Sequence, residues 1–350
     1  MWARPSSRSS PNKPSMKSLC LLAMYCSRVQ ASPILRISVN QSVQVQANNA
    51  ILAHAKQVEI DYTDIASLTK TLNEHNIHTI ISAISLYSEA ESTAQLNLIK
   101  AAENATPTAR FIPSEYSFIQ TEALLPLDPS VQYFIDAANL LKTCPTLKFT
   151  RVIPGIFMDY WGMPHVKSNL ANMTFAVNMA NCEAVIPGSG DDVICMTYSY
   201  DMAVFIARLL DVDDWEEFSV IFGDEVTYNQ LVGIGERVRG QLSVLSPSFR
   251  LIFIFPILEV GRVLMRVGRK FKVTYDSLEK IDEGNVTVPT QPEDAGYSKE
   301  DMVEATVLTG KLVVGKVFEF PAGGRSNSRF PDLELWNVED FVRGAWEGKA

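Results

Sequence analysis

Three short apolar runs of the sequence end in small or polar residues that can contact a ligand. Ser82–Ser85 follows the first run, Pro113–Glu115 the second and Pro154–Phe157 the third. In an open α/β sheet, ligands bind outside the carboxyl ends of the parallel strands. Proline, serine and glycine also end strands for purely structural reasons, so each position has a packing interpretation too. The candidate cofactor-binding residues are Ser82, Ala83, Ser85, Pro113, Ser114, Glu115, Pro154, Gly155 and Phe157.

An aromatic cluster follows the third run directly. Tyr160, Trp161 and His165 lie within a few residues of Phe157. Aromatic side chains there suit the wall of a pocket for a flat apolar substrate, with His165 available for a hydrogen bond. The alternative is a packed hinge between two lobes, and the sequence leaves both interpretations open.

The spacing of apolar residues predicts the elements that position these groups. Apolar runs suited to buried parallel strands alternate with helical patterns of 10–15 residues, which is typical of a doubly wound α/β sheet of the Rossmann type. A smaller substrate-side lobe is expected after Gly155. The predicted strands are Val58–Asp61, Ile77–Ile84, Arg110–Pro113 and Leu147–Ile153, and the predicted helices are Ile65–Asn73, Glu91–Asn104 and Ser130–Lys142.

The distribution of glycine contradicts this pattern at one point. All 18 glycines lie between Gly155 and Gly348. The first turn of a dinucleotide-binding fold is normally rich in glycine, because a Cβ atom there would occupy the space of the pyrophosphate. The first β-α unit is therefore doubtful, and residues 1–56 are interpreted as an atypical, irregular segment preceding a domain over 57–345.

Charge and cysteine content exclude several classes of protein. The net charge is −9, and residues 59–350 hold 24 basic against 40 acidic residues, which argues against a nucleic-acid partner. The five scattered cysteines suit reduced thiols in a cytoplasmic protein, and no metal site is expected at the closely spaced His75 and His78.

Two apolar stretches bear on targeting and membranes. Basic residues precede the run Leu19–Cys26, which resembles a secretory signal or a mitochondrial presequence, but an unstructured extension without any targeting role is the favoured interpretation. The run Leu251–Leu258 is far shorter than the roughly 20 apolar residues of a membrane span. No membrane span is expected. The run is interpreted as a buried or amphipathic helical segment, and the alternative is a surface hydrophobic patch that contacts a membrane or a protein partner.

Six segments in order carry a resemblance to a known family. The sequence resembles the fungal NmrA-like, isoflavone reductase-like proteins, which are atypical short-chain dehydrogenases, from about Gln57 to the C-terminus. The matching segments are Val58–Asp64, His78–Ile84, Gln95–Ile99, Arg110–Glu115, Thr150–His165 and Ile186–Gly190.

The resemblance implies a Rossmann fold and an NADPH-dependent reduction of a small aromatic secondary metabolite. Its members carry a lysine early in the helix after the Pro-Ser-Glu strand, where this chain has Phe134. Tyr133 and Lys142 are the nearby alternatives, and each is also explained as an ordinary helix residue. The sequence therefore identifies no catalytic residue.

Two departures from the family qualify these implications. The glycine-rich turn is missing, so binding of NADP is expected to be weak or lost, and Gln241–Val267 is interpreted as an insertion. The competing hypothesis is a non-catalytic regulator that senses a dinucleotide or binds a protein partner. The sequence does not decide between reductase and regulator.

Overall fold

A six-stranded sheet forms the centre of the first half of the molecule. The computed structural model describes residues 20–24, 35–38, 56–244, 264–267, 269–293, 295, 297–321 and 325–349. The order of the strands across the sheet is β3-β2-β1-β4-β5-β6. These strands are β1 (Cys20–Met24), β2 (Leu35–Ser38), β3 (Lys56–Glu59), β4 (Thr79–Ala83), β5 (Arg110–Ile112) and β6 (Lys148–Phe149).

Three helices connect the regular part of this sheet, and the first two begin with a side-chain cap. They are α1 (Ile65–Glu74), α2 (Glu89–Asn104) and α3 (Val131–Lys142). The side chain of Asp64 accepts from the Ser67 amide and begins α1, while Ser88 is the N-cap of α2. Glu91 in the first turn of α2 accepts from the Tyr87 backbone amide at 2.8 Å. The strand pairs β2–β3, β4–β5 and β5–β6 are parallel, which confirms the predicted α/β fold.

Strand β1 differs from this parallel arrangement. It pairs antiparallel with both β2 and β4, with Cys20 opposite Ala83 and Met24 opposite Thr79. The carboxyl end of β1 therefore lies beside the amino end of β4, on the edge of the sheet opposite to the candidate ligand-binding residues.

The predicted strand Leu147–Ile153 is divided between the two halves of the molecule. Its first part, β6, completes the large sheet, and its second part, β7 (Arg151–Ile153), pairs parallel with β12 (Phe218–Val220). Thr150 separates the two and shares a 2.8 Å hydrogen bond with the Ser219 hydroxyl. The second lobe is thus built directly onto the end of the sheet.

The second lobe mixes short strands with helices. Two three-stranded sheets, β16-β10-β9 and β13-β11-β8, form its frame. Its strands are β8 (Ile156–Phe157), β9 (Val177–Asn178), β10 (Glu183–Pro187), β11 (Ile194–Thr197), β13 (Asp224–Val226) and β16 (Lys272–Asp276). Its helices are α4 (Asp159–Gly162), α5 (Ser199–Leu209), α6 (Tyr228–Val238), α7 (Leu278–Asp282), α8 (Lys299–Val314) and α9 (Val338–Trp346), and single 3-10 turns span Glu122–Leu124 and Ser326–Arg329.

Apolar side chains are buried in both halves of the molecule. Leu68 and Leu72 of α1 are buried in one cluster with Ile80 of β4, and Trp161 and Tyr228 are buried in the second lobe. Burial of one such side chain stabilises a fold by about 1.5–3 kcal/mol, so these clusters fix how the strand ends meet.

The two ends of the expected insertion lie side by side. Strands β14 (Gln241–Val244) and β15 (Leu264–Val267) pair antiparallel, with Gln241 opposite Val267. The apolar run Leu251–Leu258 and the N-terminal run apart from Cys20–Met24 lie outside the described residues. Within the part of the chain that is described, no helix has the length and hydrophobicity to cross a bilayer.

Candidate active site

A cavity of about 210 Å³ opens at the carboxyl ends of β4 and β5. Four of the nine predicted cofactor-binding residues line it, namely Ala83, Ser85, Ser114 and Phe157. The predicted substrate residue Tyr160 lines it as well. The topology therefore brings the ends of β4, β5 and β8 and the short helix α4 to one site.

Glu115 does not line this cavity and forms a buried ion pair. Its carboxylate accepts from Nε and Nη2 of Arg151, both at 2.5 Å, and the residue is only 2% exposed. Arg151 also donates to the backbone carbonyl of Gln120 and stacks over the Phe218 ring. The carboxylate is thus engaged within the protein, and the packing interpretation accounts for Glu115.

Gly155 is explained by a close contact between strands. Its φ of +74° is unfavourable for other residues, and a Cβ atom there would lie 2.1 Å from the Cys195 carbonyl oxygen. The Pro154 carbonyl accepts from the Thr197 hydroxyl at 2.6 Å. Neither Pro154 nor Gly155 lines the cavity. Ser82 and Pro113 are buried and do not line it either.

Tyr160 and Trp161 are adjacent in α4 but have opposite surroundings. Tyr160 is partly exposed and its ring packs edge-on against Phe175. Trp161 is 1% exposed, donates its indole N–H to the Phe175 carbonyl at 3.1 Å and packs against Tyr228. Trp161 is therefore packed inside the second lobe and does not line the cavity.

His165 lies on the surface beside α9. Its ring centroid is 4.5 Å from that of Trp346, and desolvation together with nearby Lys349 and Arg239 lowers the pKa of its imidazole. His165 does not line the cavity at the carboxyl ends of β4 and β5, nor the larger cavity that adjoins it.

The sequence analysis missed two tyrosines that line the smaller cavity. Tyr116 donates its hydroxyl to the Ser82 carbonyl at 2.7 Å, whereas no hydrogen bond of the Tyr87 hydroxyl occurs among the described residues. Burial raises the pKa of both Tyr87 and Tyr160. Nearby Tyr297 and Glu91 raise the pKa of Tyr87 further, and Tyr87, Tyr297 and Asp159 raise that of Tyr160. Both phenols are therefore protonated at neutral pH. The sequence feature that could have identified Tyr87 is its position directly before Ser88, the N-cap of α2.

A second, larger cavity of about 460 Å³ adjoins the first. Leu86 and Tyr87 line both cavities and connect them. The walls of the larger cavity are the loop over 118–130, the start of α3 and one face of α8. Phe134 lines it at the place where the resemblance implies a lysine, while Lys142 forms a 2.8 Å ion pair with Glu217.

Buried polar side-chain atoms without partners occur in both halves of the described structure, with Tyr228 and Thr309 in the second lobe, and Gln120 is the one such residue that lines either cavity. Among the described residues, Ser82 Oγ, Gln95 Nε2, Ser117 Oγ and Gln120 Oε1 are buried and lack a hydrogen bond. All four belong to β4, α2 or the loop after β5. Such atoms destabilise a fold by about 1–3 kcal/mol each, and they are common where a ligand completes the hydrogen bonding.

Comparison with known proteins identifies the relatives of this chain. The oxidoreductase swnN of Arthroderma benhamiae is 28% identical over 307 residues, which are 84% of this chain and 92% of the relative. The oxidoreductase BOA1 of Botryotinia fuckeliana is 33% identical over 206 residues, which are 59% of this chain and 67% of the relative. The chain belongs to this family of fungal oxidoreductases. No protein-family model matches the sequence.

Solved structures show that the chain shares its fold with reductases of known structure. The complex of AtPrR2 with NADP⁺ and (+)-pinoresinol superimposes with a TM-score of 0.59 at 16% identity, covering 88% of each chain. An isoflavone reductase superimposes with a TM-score of 0.57 at 13% identity, covering 88% of this chain and 89% of the other. The fold is therefore that of the isoflavone reductase type.

The residues of the site fit one end of a dinucleotide better than the other. The smaller cavity combines aromatic walls with the Ser85 and Ser114 side chains, which suits a flat polar ring such as nicotinamide. The described residues provide no strand-turn-helix phosphate site after β1, because that strand runs in the opposite direction. The fit is thus to the nicotinamide end alone.

Proposed function

We propose that the protein is an NAD(P)H-dependent oxidoreductase of the isoflavone reductase-like group that acts on a small aromatic secondary metabolite. The observation that carries this proposal is the pair of connected cavities at the carboxyl ends of β4 and β5. The fungal oxidoreductases swnN and BOA1 and the reductase fold support it.

In this proposal the smaller cavity holds the nicotinamide and the larger one holds the substrate. When bound, the cofactor supplies a hydride. The residues of the chain then orient the rings and hold a proton. Tyr87 and Tyr160 are the candidates for the second task, because both line the smaller cavity and neither hydroxyl has a hydrogen-bond partner among the described residues.

Titration of the purified protein with NADPH, followed by cofactor fluorescence, tests the proposal. Ser114→Trp fills the smaller cavity and is expected to abolish binding, whereas Ser326→Trp in a 3-10 turn outside the cavities is the matched control. Binding that Ser114→Trp leaves unchanged would contradict the assignment of the cavity.

The second candidate is a regulator that binds the dinucleotide or a protein partner without turnover. Phe134 in the larger cavity favours it, since a phenylalanine cannot transfer a proton. NADPH binding without oxidation of NADPH in the presence of aromatic ketones, enones and benzylic ethers would support the regulator over the reductase.

A further inference from the structure

The larger cavity is mostly apolar and has three separate walls. Phe118 and Leu127 come from the loop after β5, Phe134 from α3 and Leu308 from α8. Its volume of about 460 Å³ is within the usual range for small-molecule sites. An apolar cavity of this size favours a flat hydrophobic ligand, but apolar walls alone do not orient it.

Gln120 supplies a polar group in this wall. The residue is 4% exposed, and its Oε1 atom is buried with no hydrogen-bond partner. Rotation about the last side-chain bond of glutamine is broad, so the carboxamide can turn toward an entering group. A ligand hydroxyl in the cavity would give the oxygen the partner that the protein does not.

The backbone of Gln120 is held by the buried ion pair. Its carbonyl accepts from Nη2 of Arg151 at 3.3 Å, and its amide donates to Oε1 of Glu115 at 3.4 Å. The carboxamide is therefore carried by a fixed backbone, as a group that recognises a ligand must be.

We propose that Gln120 determines ligand specificity by accepting a hydrogen bond from a hydroxyl group of an aromatic ligand in the larger cavity. That this ligand is the substrate rests on the proposed function. Since Tyr87 lines both cavities, a ring held by Gln120 and Phe134 extends toward the smaller cavity at Tyr87.

The test uses trans-4-hydroxystilbene and its methyl ether, trans-4-methoxystilbene, with the full-length protein and no cofactor. The two probes share an apolar body, but only the first can donate a hydrogen bond. We expect the hydroxyl compound to bind about tenfold more tightly, because the ether leaves the Gln120 oxygen buried without a partner. Probe fluorescence measures both dissociation constants.

Gln120→Met removes the carboxamide with little change in length, so the preference is expected to disappear while the ether still binds. Gln132→Met is the matched control, since Gln132 is exposed on α3 and outside the cavity; it should keep the preference. Leu308→Trp fills the cavity and should weaken binding of both probes.

Equal binding of the two probes by the wild type would overturn the proposal, as would a preference that survives in Gln120→Met. If Gln120→Met does not fold, a preference that Leu308→Trp leaves intact would overturn it, and loss of binding of both probes would support it. The assay contains no NADPH, so failure of cofactor binding would remove the proposed function and leave the result for Gln120 standing.

Discussion

Two neighbouring groups of residues at the strand ends differ in how fully their polar atoms are paired. In the closed region, formed by Glu115, Arg151, Gly155 and Trp161, the charged groups, the glycine backbone amide and the indole N–H all make hydrogen bonds within the protein. In the cavity region, formed by Ser85, Tyr87, Ser114, Gln120 and Tyr160, the Tyr87 and Tyr160 hydroxyls and Gln120 Oε1 have no partner among the described residues. Pairing of polar atoms alone does not mark the candidate ligand-binding residues, because Ser82 Oγ is unpaired outside both cavities and Tyr116 is paired inside the smaller one. The candidates are the residues that combine an unpaired polar atom with a place in a cavity wall.

Breaking the ion pair should have the largest effect on stability. Arg151→Met leaves the Glu115 carboxylate buried without its partner, and we expect the free energy of unfolding to fall by about 3–5 kcal/mol. Urea denaturation measures the loss. Adding Glu115→Gln should recover part of it, because the unpaired charge is then removed; no recovery would mean that the cost lies in packing around Arg151.

The adjacent residues of α4 give a second test of the comparison. Trp161→Ala should lower the free energy of unfolding by about 3–5 kcal/mol, as expected for a fully buried aromatic side chain. Tyr160→Phe should change stability by less than about 1 kcal/mol and reduce NADPH oxidation. Thermal melts measure the stability of both variants, and activity assays measure NADPH oxidation. A larger stability loss in Tyr160→Phe than in Trp161→Ala would contradict the assignment of the two residues to different regions.

Restoring the missing phosphate site would test whether the cavity region alone sets the affinity for NADPH. Replacement of residues 1–56 by a glycine-rich β-α-β unit should tighten NADPH binding about tenfold or more, which corresponds to about 1.4 kcal/mol. Several backbone amides would then contact the pyrophosphate. Fluorescence titration of both proteins provides the measurement, and equal affinities would show that the described cavity region alone sets the affinity.

A buried carboxyl group in the second lobe predicts a smaller, pH-dependent effect. Burial raises the pKa of Asp201 to about 6, partly offset by the hydrogen bond from the Trp336 amide, while nearby Asp159 raises it further. The unfolded chain has a pKa of about 4, so the native state binds the extra proton between these values and loses stability as pH rises from about 4 to 6.

Asp201→Asn should therefore stabilise the protein at pH 7.5 by about 1 kcal/mol, a value reduced for residual solvent screening. The dependence of the free energy of unfolding on pH should flatten between about pH 4 and 6. Asp340→Asn on the exposed part of α9 is the matched control. A steeper profile in Asp201→Asn would show that the charged form is the favoured one.

Removal of the expected insertion should have the smallest effect. Since Gln241 and Val267 lie opposite each other, Gly240 can be rejoined to Gly268 without separating the flanking elements. We expect a melting temperature within about 4 °C of the wild type, which is the change produced by roughly 1 kcal/mol or less. A larger fall would show that the segment packs on the core.

Periodicity predicted the elements well wherever local pattern and packing agree. Helix α1 spans Ile65–Glu74, within one residue of the predicted Ile65–Asn73, because the Asp64 cap begins it and the buried face of Leu68 and Leu72 continues it. The division of the predicted strand at Thr150 could not be foreseen, since both parts have the same apolar pattern and only their pairing partners differ. The reversed direction of β1 is likewise a property of pairing.

The candidate site was predicted in part for a similar reason. The strand-end rule found Ser85, Ser114 and Phe157, but it also selected Glu115, whose partner Arg151 is 36 residues away in the chain. Gln120 and the face of α8 were missed because a cavity wall built from distant segments leaves no local pattern.

The hydrogen bond between the Tyr87 amide and Glu91 joins the ligand cavity to the start of a helix. The same carboxylate accepts from the Ser88 hydroxyl at 3.1 Å, so the first turn of α2 and the residue shared by both cavities form one small cooperative unit. When that unit opens, the cap of α2 breaks and Tyr87 is displaced at the same time. A ligand that contacts Tyr87 should therefore slow amide hydrogen exchange in the first turn of α2, even though it touches none of that turn's backbone.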